Sequence, residues 1–339
     1  MSPLSLGRWL GVLAALLALL LAALGLGLAI GPSGLGPQEV WQVLWGGGSH
    51  AAADIVLRVR VPRLLLAAEV GAALAVSGAL YQALLRNPLA DPFILGVSGG
   101  AALGGIVALS VGGALGLGYA AVPPAAFAGA VVTVVLLVLV VGPAGRLAPT
   151  TLLLTGVVFN AFASAAIVFL ASLAGLTDGA RIFLWLIGSL SESRGAADLW
   201  VALFLAVGLG CALPLTRSLN ALALGEDSAL QLGVDVRRLQ QLLLVATSLM
   251  VGAAVSVSGL IGFVGLIVPH ALRLRLGADH RLLVPAAALG GAAFLVLSDT
   301  VARSLLGGRE LPVGAITALA GGPYFLYLLR RYQGRVFAS

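Results

Sequence analysis

Between Gly78 and Gly105 the chain reads GALYQALLRNPLADPFILGVSGGAALGG, one apolar run passing into the next through a small polar knot. A soluble core has no use for such a knot between two long apolar segments; a bilayer-spanning bundle with a moving gate does. The knot holds Arg86, Asn87 and Asp91 beside two prolines, Pro88 and Pro92. Each proline lacks an N–H and disfavours helix in the residue before it, so one helix cannot run through. Beyond it Gly96, Gly100 and Gly104 recur every four residues, leaving one helix face bare for close approach of another backbone. The segment reads as helix, rigid turn, tightly packed helix.

Of 339 residues, 60% are hydrophobic and 9% charged, against about 25% charged in a soluble domain. The composition is that of an all-α integral membrane protein in a single polytopic domain, 1–339. The one cysteine, Cys211, gives neither a disulfide framework nor a cysteine metal site. Every basic residue is arginine, which excludes a Walker A lysine and a Schiff-base lysine. The net charge of +6 is spread over loops, which argues for a membrane face and against nucleic acid.

A span needs about 20 apolar residues, and such runs lie near 9–30, 62–84, 94–115, 118–141, 149–173, 198–215, 239–257, 259–272, 282–303 and 313–329. The eighth is short and glycine-rich, with re-entrance as an alternative to a full crossing. The first is longer than a signal-peptide core and is read as a retained span. With the N-terminus inside, Arg8, Arg86, Arg146, Arg217, Arg237, Arg238, Arg273, Arg275, Arg281, Arg330, Arg331 and Arg335 fall inside. Arg58, Arg60, Arg63, Arg181, Arg194, Arg303 and Arg309 fall outside, so the arginine balance predicts both termini inside.

Two long connections break the rhythm. The outer one, 31–60, carries QEVWQVLWGG, whose Trp41 and Trp45 suit a membrane interface. The inner one, 216–238, is too polar to span. Ser218 or Asn220 is expected to cap a short helix ended by Gly225, and Asp227 a second running to Leu232. Leucines alternate there with acids outside lipid, which fits either a surface loop or a helical elbow offered to a soluble partner.

QALLRNPLADPFILGVSGGAALG resembles the signature of the FecCD/BtuC-type permeases, the membrane subunits of ABC importers for iron–siderophores, haem and cobalamin. LNALALGEDSALQLGVDV, GLIGFVGLIVPHALR and SDTVARSLLGGRELPVGAITALAGGPYFLYLLRR extend the resemblance in order, across about residues 55 to 331. It implies a BtuC-like, type II importer permease of about ten transmembrane helices, dimerising with a second copy around a central pathway. It further implies two cytoplasmic ABC ATPase subunits that bind ATP and Mg²⁺, an extracytoplasmic substrate-binding protein, and a bacterial or archaeal cytoplasmic (inner) membrane. No cofactor or metal is expected in this chain.

The resemblance assigns ATPase coupling to Leu219, Leu222, Leu224, Gly225, Glu226, Asp227, Leu232, Gly233 and Val234. Asn87, Pro88 and Leu89 map near the inner mouth of the pathway, with helix capping as the competing role for Asn87. Asn160 and Ser164 are expected along the pathway, or in helix–helix hydrogen bonds. Arg60, Arg63 and Arg303 match binding-protein docking positions, with Arg58 and Arg309 weaker. Against docking stand snorkelling at span ends and an i,i+4 pair of Asp299 with Arg303. Glu69 belongs in an outer cavity or an ion pair. Asp178 and Arg181 fall on a short outer helix beside the cavity. His50 is a remote candidate for touching a chelate, and His270 and His280 have no third ligand near them.

A secondary transporter is the first alternative, but Glu69 has no partner in a repeated half. A membrane enzyme is the second, without HExxH, a His/Asp cluster or a Ser–Lys pair. Among importer cargoes the order expected is iron–siderophore, then cobalamin or haem, moved by ATP-driven alternating access.

Overall fold

The computed structural model describes residues 5–112, 119–141, 149–173, 176–191, 195–306 and 310–332. Arg146, Arg194, Arg309 and Arg335, and the side chains of Asp178 and Arg331, lie outside the described set. In chain order the helices are α1 (Leu6–Ala29), α2 (Pro37–Leu44), α3 (His50–Ala53), α4 (Val61–Leu84), α5 (Val97–Gly112) and α6 (Val122–Val141). Then come α7 (Pro149–Leu173), α8 (Leu176–Ile187), α9 (Gly195–Ala212), α10 (Thr216–Leu222) and α11 (Glu226–Gln231). The last are α12 (Val236–Ser258), α13 (Val264–Leu276), α14 (His280–Ser304) and α15 (Val313–Tyr332).

Each of the ten apolar runs is helical. Among the described residues six helices are long and apolar enough to cross a bilayer, and a seventh if α9 and α10, bent by 62°, count as one. Helix α5, of 16 residues, is shorter. Helix α13, of 13 residues with Pro269 inside it, rises about 20 Å, and the non-helical residues 259–263 make up the start of that apolar run. Residues 50–60, expected as loop, are helical instead. The π-helix Asp54–Arg60 joins α3 to α4, and Pro62, which has no N–H to donate back, stands where the π-helix gives way to α4.

Hydropathy sorts the helices from centre to rim. The span ending in α4 has mean hydropathy 1.8 and is 83% buried, whereas α1 has 2.7 and is 11% buried. The greasiest helices face outward, as a hydrocarbon solvent dictates. Around α4 pack α14, α12, α13 and α9. Small residues set those distances. A Cβ on Gly71 would lie 2.3 Å from the Gly291 carbonyl oxygen, and one on Gly78 would lie 1.8 Å from that of Gly265. Gly100 faces the Gly129 carbonyl and Thr133 of α6, and Gly104 faces Ala125. Gly96 does not share that face: it precedes α5 in a left-handed conformation, φ 84°, against Phe159 of α7.

Polar contacts divide the bundle into two ends. At one, Arg86 meets Glu226, Asn220 meets Asp279, and Arg8 reaches the Leu276 carbonyl. At the other, the end of α1, the starts of α3–α4, the end of α14 and Glu310 converge. The arginine partition read from hydropathy therefore groups the described residues at these contacts correctly into two ends.

Gly78→Ala, which drives a methyl group into backbone, is expected to lower stability by about 1–3 kcal/mol. Gly210→Ala, with open space at its Cβ, is expected to be neutral or to gain about 0.5–1 kcal/mol from helix propensity. Thermal unfolding of the detergent-solubilised protein checks the contrast; equal midpoints would contradict the packing account.

Candidate functional site

The polar knot is a compact turn with every exit fixed. Helix α4 closes with Arg86 N–H donating to the Ala83 carbonyl (3.2 Å) and Asn87 N–H to that of Gln82 (3.0 Å), the pair of bonds of a Schellman cap. Arg86 takes the left-handed residue of that cap, φ 49°, where glycine is usual; a side chain there costs about 1–2 kcal/mol. Asn87 Oδ1 accepts from the Leu89 N–H at 2.9 Å and closes the turn; residues 87–90 are not helical, so the side chain caps no helix. Asp91 Oδ1 accepts from the Phe93 N–H at 2.8 Å and starts the short turn into α5. Gln82 reaches the Ala90, Gly265 and Leu266 carbonyls. The turn is thereby pinned to α13.

Beside it lies the elbow. Helix α10 runs to Leu222, Gly225 at φ 112° starts α11, and Gly233 at φ 78° leads out of it. Glu226 and Asp227 stand in the first turn of α11, where carboxylates complement the helix dipole. Arg86 Nη2 lies 3.3 Å from Glu226 Oε1, which also accepts from Gln240 of α12 at 3.4 Å. Of the expected coupling residues, Leu219 and Leu222 are buried in the main core and offer nothing to a partner. Leu224 (72% exposed) and Leu232 (65%) carry the accessible apolar surface, with Leu230 between them.

Asn220 does not cap α10. Its amide bridges to α14: Nδ2 donates to Asp279 Oδ1 and Oδ1 accepts from the His280 N–H, each at 2.8 Å. Arg281 and Asn220 hold the Asp279 carboxyl well below the usual carboxylate range. That contribution to stability is present at neutral pH and is lost only as pH falls through the acid range.

At the opposite end the three expected docking arginines are 3%, 7% and 3% exposed for Arg60, Arg63 and Arg303. Arg63 makes a forked contact with Asp299, Nη2 to Oδ1 at 2.9 Å and Nε to both oxygens at 3.1 and 3.2 Å, and its Nη1 reaches Glu310 at 2.8 Å. Arg303 Nε lies 2.9 Å from Asp299 Oδ2, an ion pair off the line of a hydrogen bond, and Nη2 donates to the Gly27 carbonyl at 3.3 Å. Arg60 bonds to the Leu28 carbonyl and to Ser33 Oγ. In this geometry none of the three offers its guanidinium to a surface partner; they join α1, α4 and α14. The i,i+4 pair of Asp299 and Arg303 is present. Arg58, paired with Asp54 at 3.2 Å, is the exposed guanidinium of that corner among the described residues.

Between the ends, a recess of about 320 Å³ opens beside α5, α7 and α8. Asn160 and Ser164 line it, but Asn160 Nδ2 donates to the Phe93 carbonyl at 2.9 Å and so also ties α7 to the knot. A second recess, of about 330 Å³, holds Arg181, Ser189, Ser191 and Glu310. Glu69, half-buried on α4, is engaged in a polar interaction. Among the described residues no three His, Cys, Asp or Glu side chains converge as a metal site; His50 is exposed and stands apart.

The profile of the FecCD transport family matches residues 17–331. The "Cobalamin import system permease protein BtuC" of Halobacterium salinarum is 47% identical over 290 residues, 85% of this chain and 77% of that protein. The "Hemin transport system permease protein HmuU" of Yersinia pestis is 43% identical over 317 residues, 90% of this chain and 92% of that protein. A solved structure of an inward-facing metal-chelate type ABC transporter superposes with a TM-score of 0.85 at 32% identity, covering 95% of this chain and 99% of that one.

Two substitutions test the two ends. Asp299→Asn leaves Arg63 and Arg303 buried without their shared counter-charge and is expected to cost about 3–5 kcal/mol; a thermal midpoint within error of the parent would contradict the cluster's structural role. At the knot, burial pushes the Asp91 carboxyl from 3.8 up to about 6, against a lowering hydrogen bond from Phe93. Protonation of Asp91 therefore favours the folded state, fully at acid pH and not at all once pH has risen through the folded value. Asp91→Asn, which keeps the acceptor, is expected to raise the thermal midpoint at neutral pH, the gain vanishing towards pH about 4. A loss at both pH values would contradict it.

Proposed function

The chain belongs to the FecCD transport family, and we propose that it is the permease subunit of an ABC importer for a metal chelate. The observation that carries this reading is the elbow: exposed Leu230 on α11, with exposed Leu224 and Leu232 just before and after it, in a segment whose helices are too short and polar to enter lipid, packed against the turn that closes one end of the bundle. Such a surface fits the groove of a soluble subunit. Hydrolysis of ATP belongs to that separate subunit, since this chain has no lysine for a phosphate loop.

In the proposed assembly two copies face each other across a central pathway, the α5–α7–α8 recess with Asn160 and Ser164 turned to it. Both termini and the elbow are cytoplasmic, in keeping with the arginine balance. A substrate-binding protein meets the opposite end, with exposed Arg58 a better anchor than the buried Arg60, Arg63 and Arg303. ATP binding shifts the equilibrium between outward- and inward-open dimers by favouring one of them. The knot is the inner gate: Leu89 moves when the Asn87–Pro88 turn shifts, while the outer ionic cluster holds α1, α4 and α14 together.

The cargo is a metal chelate. Relatives named for cobalamin and haemin, both tetrapyrroles, put a tetrapyrrole ahead of the siderophore that was first in the expected order; the metal-chelate type structural neighbour keeps the siderophore as the second reading. No observation favours ATP-independent transport.

Proteoliposomes holding the chain, its ATPase and its binding protein decide among cyanocobalamin, haemin and a ferric siderophore. The expected outcome is ATP-dependent uptake of one of them, lost together with ATPase co-purification in Leu224→Glu/Leu232→Glu. Uptake independent of ATP, or an ATPase still bound by the double variant, would overturn the respective part of the reading.

A further inference from the structure

The residue before Asn87 is built at a cost that the turn itself does not require. A Schellman cap wants glycine at its left-handed position, and Arg86 stands there at φ 49°. Backbone strain retained at one residue calls for something that its side chain supplies. Here the side chain leaves the turn and crosses to the elbow, Nη2 to Glu226 Oε1 at 3.3 Å. Glu226 is the first residue of α11 and simultaneously accepts from Gln240, which is fully buried on α12. One carboxylate thus joins the elbow, a core helix and the end of α4. With side chains 40% and 19% exposed, the pair is too wet to hold the fold together. Its geometry is that of a connecting rod.

We propose that Arg86 is a positioning residue that transmits displacement of the α10–α11 elbow to the Asn87–Pro88–Leu89 turn through Glu226. The proposal rests on the importer reading above. Displacement of α11 pulls Glu226, the guanidinium follows, and the left-handed backbone of Arg86 passes the movement to Asn87 and Leu89. The turn is held on its far side by Gln82, whose amide reaches the Ala90 carbonyl in the turn and the Gly265 and Leu266 carbonyls of α13. It therefore pivots between α11 and α13 and does not travel freely.

Glycine and lysine separate this role from a purely structural one. Arg86→Gly relieves the left-handed strain and removes the link, whereas Arg86→Lys keeps both the strain and the charge. The probe is the labelling rate of Leu89→Cys by a membrane-impermeant maleimide, in a Cys211→Ala background assembled with the ATPase, with and without ATP–Mg²⁺. In the parent the rate is expected to respond to nucleotide. In Arg86→Gly the response falls by about 5-fold or more, the lower end of couplings between linked sites, while the thermal midpoint stays level or rises and the ATPase still co-purifies. Arg86→Lys retains most of the response.

A full response in Arg86→Gly overturns the link and leaves the importer reading standing. Loss of the ATPase from Arg86→Gly overturns it too, by making Arg86 an assembly residue. A parent complex that transports but shows no nucleotide response at Leu89 overturns the link alone. A parent that neither binds an ATPase nor responds overturns the importer reading and the link together.

Discussion

Hydrocarbon gives apolar helices no hydrophobic reason to associate, so a bundle of this composition depends on how closely its backbones approach. In this chain that approach is centred on α4. Gly71 against Gly291 brings α4 onto α14, and Gly78 against Gly265 brings it onto α13, with no room for a methyl group at either contact. A core formed in this way has two discrete fits between neighbours more readily than a graded slide. Tilts of whole helices are then transmitted, because the contacts that would absorb them are backbone to backbone.

The polar groups are placed where such tilts matter. At the arginine-cluster end a charge cluster is buried, with Asp299 shared between Arg63 and Arg303; separating its members would strand charges away from water. At the elbow end the ion pairs are half-exposed, Arg86 with Glu226 and Arg281 with Asp279, and hold surface elements in register without locking the core. One end is thus stiff and the other adjustable, an asymmetry that suits a permease driven by a soluble engine at the adjustable end.

Much of this was legible in the sequence. Among the described residues, apolar runs located α1, α4 to α7, α9 and α12 to α15, because in lipid a run of the right length has few other options. The break at Pro88 and Pro92, the polarity of the elbow, and the facing of Gly100 and Gly104 also follow from local chemistry. The failures share a cause: the deciding partner is distant in sequence. Arg63 reads as a free or snorkelling cation until Asp299, 236 positions away, is placed beside it. Asn220 reads as a local cap until Asp279 appears. Leu219 and Leu222, three apart on one helix face, carried a signal of burial that their kinship with a docking segment obscured. For Arg86 the signal was present: the residue between the end of an apolar run and Asn-Pro is where a left-handed cap belongs.

The central claim is that the elbow end is where a soluble ATPase grips and moves this bundle. A cryo-EM structure of the assembled complex, without nucleotide and with ATP bound, tests it most directly. The account predicts α10 and α11 seated in the ATPase with Leu224 and Leu232 covered, the Asn87–Leu89 turn differing between the two states, and the Arg63–Asp299–Arg303 cluster unchanged. An ATPase seated elsewhere on the chain, or an outer cluster that breaks while the turn stays fixed, would contradict it.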